Sequence, residues 1–209
     1  SQGLSLIDFR LLSVEHLGAI FEKLMACSVQ VAGERVVKVL DPGERKKLGA
    51  YFTPPAVVAR LVGGALGRDF DRRLAACATW PEAVALVRAS RVVDPAMGAG
   101  HFLVGVARRL RAALDAAAAR LGAPAHEVER AFRDAVCECL YGVDLVPTSV
   151  ELARFALAML VAPQLDCDGL EAHLRCGDSV WSCAALDDVL AAGDELAPSA
   201  ADAAWLRAV

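Results

Sequence analysis

The chain has 209 residues, enough for one substantial core with a small appendage, and its net charge of -4 gives no basic footprint for gripping a phosphate backbone. Mean hydropathy is +0.41, but alanine supplies much of the excess and no apolar run approaches the ~18 uninterrupted residues of a membrane helix, so no membrane association is expected. The seven cysteines (Cys27, Cys77, Cys137, Cys139, Cys167, Cys176, Cys183) are odd in number and form no CxxC pair, which argues against a disulfide framework and against a tetrahedral zinc site.

The stretch from Ser1 to Asp8 lacks a basic region followed by an apolar one, so the expected location is cytoplasmic. "VEHLGAIFEKLM" (14–25) spaces Val14, Leu17, Ile20, Phe21 and Leu24 as one helical face. "SVQVAGERVVKVL" alternates about Ala32-Gly33-Glu34 and predicts a hairpin. "ERKK" (44–47) reads as a solvated loop. Thr53 is placed to cap a helix that tolerates Pro54 and Pro55 in its first turn, with Val58, Leu61, Val62 and Leu66 on one face. The stretch from Gly67 to Thr79 is undecided, and "PEAVALVRA" after it reads as a short helix.

"RVVD" is a short strand ending at Asp94, followed by the glycine-bracketed loop of "VVDPAMGAGHFL" (92–103). From His101 to Leu121 an apolar stripe of Leu103, Val106, Leu110, Leu114, Ala117 and Leu121 predicts a long helix, stopped by Gly122 and Pro124. A helix over about 125–137 leads to "CLYGVD", a second strand ending at Asp144. Thr148-x-x-Glu151 has the form of a capping box for a helix through Val161. "HLRCGD" is a third strand ending near Asp178, and one more helix is expected over 184–192. Trp80, Trp181 and Trp205 read as packing residues.

Strands alternating with longer helices imply parallel crossovers, hence an α/β fold with a doubly wound, mostly parallel sheet. Ligands in such sheets lie at the carboxyl ends of the strands, where Asp94, Asp144 and Asp178 fall. Gly98-x-Gly100 alone suits a plain backbone turn as well as a ligand loop. Set between a strand end and a helix start, it also allows a nucleoside-like group close to the backbone, beside free helix N–H groups. A dinucleotide fingerprint is disfavoured, because Phe102 and Leu103 follow the glycines and Asp144 comes 50 positions after Asp94. A phosphate-binding P-loop is disfavoured because no lysine follows Lys47.

"DPAMGAGHFL" resembles the DPACGSGHFL motif of S-adenosylmethionine-dependent adenine-N6 DNA methyltransferases, especially the large single-chain restriction-modification and phage-defence enzymes. "LGAYFTPPAVV", "LYGVDLVPTSVELARFAL" and "HLRCGDSVW" are similar to that family's GAYYTP, GVDLNPLAVELAK and GDSL segments, in the same order. "SVEHLGAIFEKLM" resembles its amino-terminal helix. Together these stretches cover most of residues 12–181.

The resemblance implies a Rossmann-like methyltransferase fold, incomplete here. Residues 1–47 would form a helix-and-hairpin appendage, 48–183 the cofactor-binding core and 184–209 a weakly patterned tail. S-adenosyl-L-methionine is the implied cofactor. Thr53 and Tyr51 would meet its methionine end, although Thr53 also reads as a helix cap. Asp94, Ala96, Gly98 and Gly100 would shape the loop beneath it, with Asp94 attracting the ammonium or sulfonium; a strand-end turn is the plainer role for Asp94. Asp144 would accept from the ribose hydroxyls, or serve only its turn, with Leu145 and Val146 beside the adenine. Asp178 would accept from the exocyclic amine. His101 at the helix start fits packing or capping better than general-base work.

The family's N/D/S-P-P-Y/F/W catalytic motif does not occur. The chain contains no asparagine, and its only Pro-Pro, in "TPPA", is followed by no aromatic. No residue is therefore assigned to catalysis or to a metal. The resulting expectation is the amino-terminal, cofactor-binding portion of a larger enzyme, inactive alone, whose DNA contacts come from downstream segments. The alternatives are a non-catalytic cofactor-binding or assembly module and, more distantly, a methyltransferase acting on RNA or a small molecule.

Overall fold

Alternating β-branched residues on either side of a polar turn give the first paired element, strands β1 (Cys27–Ala32) and β2 (Arg35–Leu40). They are antiparallel and in register from Cys27 with Leu40 to Ala32 with Arg35, so the expected hairpin is present, with Ala32 inside the strand rather than in the turn. The computed structural model describes residues 27–32, 35–40, 53–161 and 168–179. The helices expected over 14–25 and 184–192 lie outside these residues. The chain divides into two compact units, Ser1–Phe52 and Thr53–Val209; the second carries the parallel sheet.

Helix α1 (Pro55–Ala76) runs through the stretch that the sequence left undecided, bent at Gly67, whose φ of 61° and ψ of 175° interrupt the helical backbone. Gly67 accepts that conformation because it has no Cβ. Thr53 is not the cap: Pro54 holds that position, its carbonyl accepting the amides of Val57 and Val58 at 2.9 and 3.1 Å, and no side chain bonds the helix start. The expected apolar face is also narrower. Val58 and Val62 are buried, whereas Leu61 is 54% exposed. At the far end Arg120 donates to the carbonyls of Cys77 and Leu74 at 2.8 and 2.9 Å, satisfying oxygens that a helix terminus leaves without partners.

Helix α2 (Trp80–Arg88) begins with a capping box: Glu82 N–H donates to Thr79 Oγ1, and the Glu82 carboxylate accepts from Thr79 N–H. Strand β3 (Val92–Asp94) leads through the glycine loop into α3 (His101–Leu121), which ends on Gly122 in the left-handed conformation, φ 74°. Its stripe is broader than expected, with Val104, Ala107, Ala113 and Ala118 buried beside Leu103, Val106, Leu110, Leu114 and Ala117. Helix α4 (Ala125–Cys139) carries straight into β4 (Leu140–Asp144).

Helix α5 (Pro147–Val161) starts one residue before Thr148, so the Thr148-x-x-Glu151 signature lies inside the helix and is not its cap. The Val146 carbonyl instead accepts from Ser149 and Val150, and Pro147 sits where a helix needs no amide donor. A short helix α6 (Asp168–His173), not foreseen, precedes β5 (Leu174–Cys176). The third strand is therefore shorter than "HLRCGD" and stops two residues before Asp178.

The sheet is parallel in the order β3-β4-β5, and each crossover carries helices, so the expected mixed α/β architecture with a small parallel sheet is present. Leu140 to Val143 of the central strand are all buried, as a strand covered on both faces requires. Gly142 faces Met97 and Leu103 at the start of α3, while the adjacent Tyr141 stacks on His173 of α6 at 4.1 Å. Successive strand residues point to opposite faces, so α3 and α6 cover opposite sides of β4. Fully buried Leu103, Leu110, Leu114, Leu140, Leu157 and Leu174 form the core, each stabilising the fold by about 2 kcal/mol. None of the helices described is long and apolar enough to cross a membrane.

Candidate functional site at the strand tips

Asp94 is the last residue of β3 and pairs in register with Gly142, so Asp144, the last residue of β4, stands two residues further along the neighbouring strand. Between them the loop 95–100 folds back over β4. Met97 N–H donates to the Val143 carbonyl at 3.0 Å, and Gly98 N–H donates to Asp144 Oδ2 at 2.9 Å. Asp144 Oδ1 accepts from Val146 N–H at 2.9 Å, and the Asp144 carbonyl accepts from Gly177 at 3.0 Å. One residue thereby fastens the glycine loop, the β4–α5 turn and the tip of β5. Each carboxylate oxygen keeps a further lone pair for a hydroxyl donor.

The two loop glycines have different reasons to be glycine. Both have positive φ, 54° at Gly98 and 82° at Gly100. A Cβ on Gly100 would stand 2.9 Å from the Ala153 methyl of α5, so helix packing forbids a side chain there. A Cβ on Gly98 would meet nothing within 4 Å. The open space lies at Gly98.

Asp94 Oδ1 accepts from Ala96 N–H at 3.1 Å, the short turn that a strand-end aspartate favours. Its Oδ2 is buried and has no hydrogen-bond partner among the described residues. Burial raises the Asp94 pKa, the Ala96 N–H lowers it, and the negative charge of Asp144 raises it again. The two carboxylates thus act on one another at the strand tips, an arrangement that a cation or a proton relieves. His101, at the first position of α3, is half-buried, and burial pushes its pKa down. Its burial disfavours the charged imidazolium.

Asp94, Ala96, Gly98, Gly100, Asp144 and Leu145 thus come together at the tips of β3 and β4, with Leu145 67% exposed beside them. Asp178 follows one residue after Gly177, exposed at the tip of β5. Thr53 is half-buried and no hydrogen bond joins it to these residues; α1 instead reaches α3 through Val58, which packs where Gly105 has no side chain. Tyr51 lies outside the described residues. Met97 and Gly142, which hold the loop down, were not picked out by the sequence, although a glycine inside a strand signals close approach by another group. An open groove of about 800 Å³ between α2 and α4, bordered by Trp80, Val84, Arg88 and Glu138, contains none of the strand-tip residues. No group of His, Cys, Asp and Glu among the described residues is arranged to hold a metal ion.

No family description matches the chain, and no experimentally determined structure does. The chain is similar, at 25% identity over 196 residues, to a Methanocaldococcus jannaschii protein named as a candidate type II restriction enzyme and methyltransferase. The matching region takes in 70% of this chain and 16% of that protein.

Proposed function

We propose that these residues form the S-adenosyl-L-methionine-binding part of a restriction-modification adenine-N6 DNA methyltransferase. One observation carries the reading: two carboxylates at adjacent parallel strand tips flank a positive-φ glycine loop, and one of their oxygens is buried without a donor. A cationic, hydroxyl-bearing nucleoside supplies what that set lacks. The four ordered sequence stretches and the similarity to a protein named as a restriction enzyme and methyltransferase support the same reading.

In this reading Asp94 attracts the positive end of the cofactor, and the free lone pairs of Asp144 accept its ribose hydroxyls. Gly98 gives the ligand room against the backbone, Ala96 and Gly100 shape the loop, Leu145 flanks the base, and Asp178 accepts from the amine. Tyr51 and Thr53 belong to the methionine end. The bound cofactor supplies an electrophilic methyl group. Every other step of transfer needs an acceptor pocket, and the N/D/S-P-P-Y/F/W motif for one is absent from these residues. With a net charge of -4, the hold on DNA also belongs to segments outside them.

These 209 residues should bind the cofactor without transferring its methyl group. Calorimetry with S-adenosylmethionine and S-adenosylhomocysteine, beside a radiolabelled-methyl assay on adenine-containing DNA, tests both halves. Heat without transfer is expected; a folded chain giving no heat with either compound would contradict the reading.

A further inference from the structure

Met97 and Gly142 form a steric latch. The chain leaves β3 at Asp94, turns, and sets Met97 down on Gly142, the register partner of Asp94 on the next strand. A Cβ on Gly142 would lie 2.3 Å from Met97 Sδ, 3.2 Å from its Cγ and 3.0 Å from Leu103 Cδ1. The first of these forces the thioether to move, and the other two are tight enough that the neighbours must give by a few tenths of an ångström. Met97 is 3% exposed and Leu103 fully buried, so the thioether would have to be displaced within a close-packed interior rather than into solvent.

The backbone of Met97 is bound at the same place. Its N–H donates to Val143 and its carbonyl accepts from Gly100 N–H at 2.8 Å, while the next residue, Gly98, gives its N–H to Asp144. Lifting the Met97 side chain therefore strains the residue next to Gly98, where the open space lies. We infer that Met97, seated on the side-chain-free surface of Gly142, is the positioning residue that holds Gly98 against Asp144 and so sets the shape of the ligand loop. Met97 touches no reacting group; it acts through Gly98. The inference rests on the proposed function for the identity of the ligand, but not for the latch itself.

The experiment compares the 209-residue chain with Gly142→Ala, Met97→Ala and the double variant. One readout is amide hydrogen exchange over 95–100, and the other is the dissociation constant for S-adenosylhomocysteine. Gly142→Ala should lose exchange protection at Gly98 and bind about tenfold more weakly or worse, as a displaced positioning element does. The double variant, in which a methyl replaces the thioether arm, should regain protection and recover most of the affinity.

If Gly142→Ala does not fold, a folded double variant with a protected Gly98 supports the latch equally. Protection at Gly98 unchanged in Gly142→Ala overturns it, as does a double variant no better than Gly142→Ala. If the unsubstituted chain binds no S-adenosylhomocysteine, the functional reading fails, and exchange at Gly98 still decides the latch.

Discussion

The carboxylate of Asp144 accepts the amide proton of Gly98 across 46 positions of sequence, at 2.9 Å, and with its other oxygen holds Val146 N–H. This one side chain ties the loop after β3 to the turn after β4. Asp144→Ala should leave two part-buried N–H donors without an acceptor, costing roughly 1–3 kcal/mol of stability and most of the ligand affinity. Asp144→Asn keeps one acceptor and should fall between. Denaturant unfolding read beside calorimetry checks the order.

Asp94 predicts opposite effects on stability and binding. Its pKa is raised, chiefly by burial, so the folded state holds the proton more tightly than the unfolded state does. Its contribution to stability is therefore present below the unfolded value near pH 3.9 and is lost as pH rises through the folded one. Asp94→Asn removes the buried charge. It should melt higher than the unsubstituted chain at pH 7, with the gap closing toward pH 4, and should bind a cationic nucleoside more weakly. A variant that melts lower at pH 7 and binds normally would show that Asp94 is only a turn former.

Two histidines carry the reverse dependence. Burial lowers the pKa of His101, and burial together with the Arg91 charge lowers that of His173. Their stabilising share is present above the unfolded value near pH 6.5 and fades as pH falls below it, because the unfolded chain then binds the protons. His173→Phe keeps the stack on Tyr141 and should flatten the fall in melting temperature between pH 7 and pH 5. An unchanged slope would place the dependence elsewhere.

The capping box at the start of α2 gives a local test. Thr79→Ala removes the oxygen that accepts from Glu82 N–H and should cost about 1 kcal/mol. Thr148→Ala, at the other sequence signature of this kind, lies inside α5 and should cost a few tenths of a kcal/mol at most. Equal losses in chemical denaturation would contradict the placement of these caps.

Those two threonines show what a single sequence reveals. Both stand three residues before a glutamate, and only the structure tells that Pro147 starts α5 one residue before Thr148, whereas Thr79 is free to cap. Long-period features were legible: the stripe of α3, the alternation of β1 and β2, and the strands ending at Asp94 and Asp144 are where periodicity and turn chemistry place them. The helical course of residues 67–76 was hidden, because Gly67 breaks the pattern that it merely bends. Helix α6 is too short for a period to show. At the site the acids and loop glycines were visible as types. The distinct reasons for Gly98 and Gly100, and the seat of Met97 on Gly142, depend on contacts across strands that spacing along the chain does not encode.

Amide chemical shifts followed by NMR while S-adenosylhomocysteine is added to the 209-residue chain show whether the strand tips hold the ligand. The largest changes should fall on Ala96, Gly98, Leu145, Val146 and Gly177, at the tips of all three parallel strands. Changes confined to the groove of Trp80, Arg88 and Glu138, with the strand tips silent, would contradict that placement.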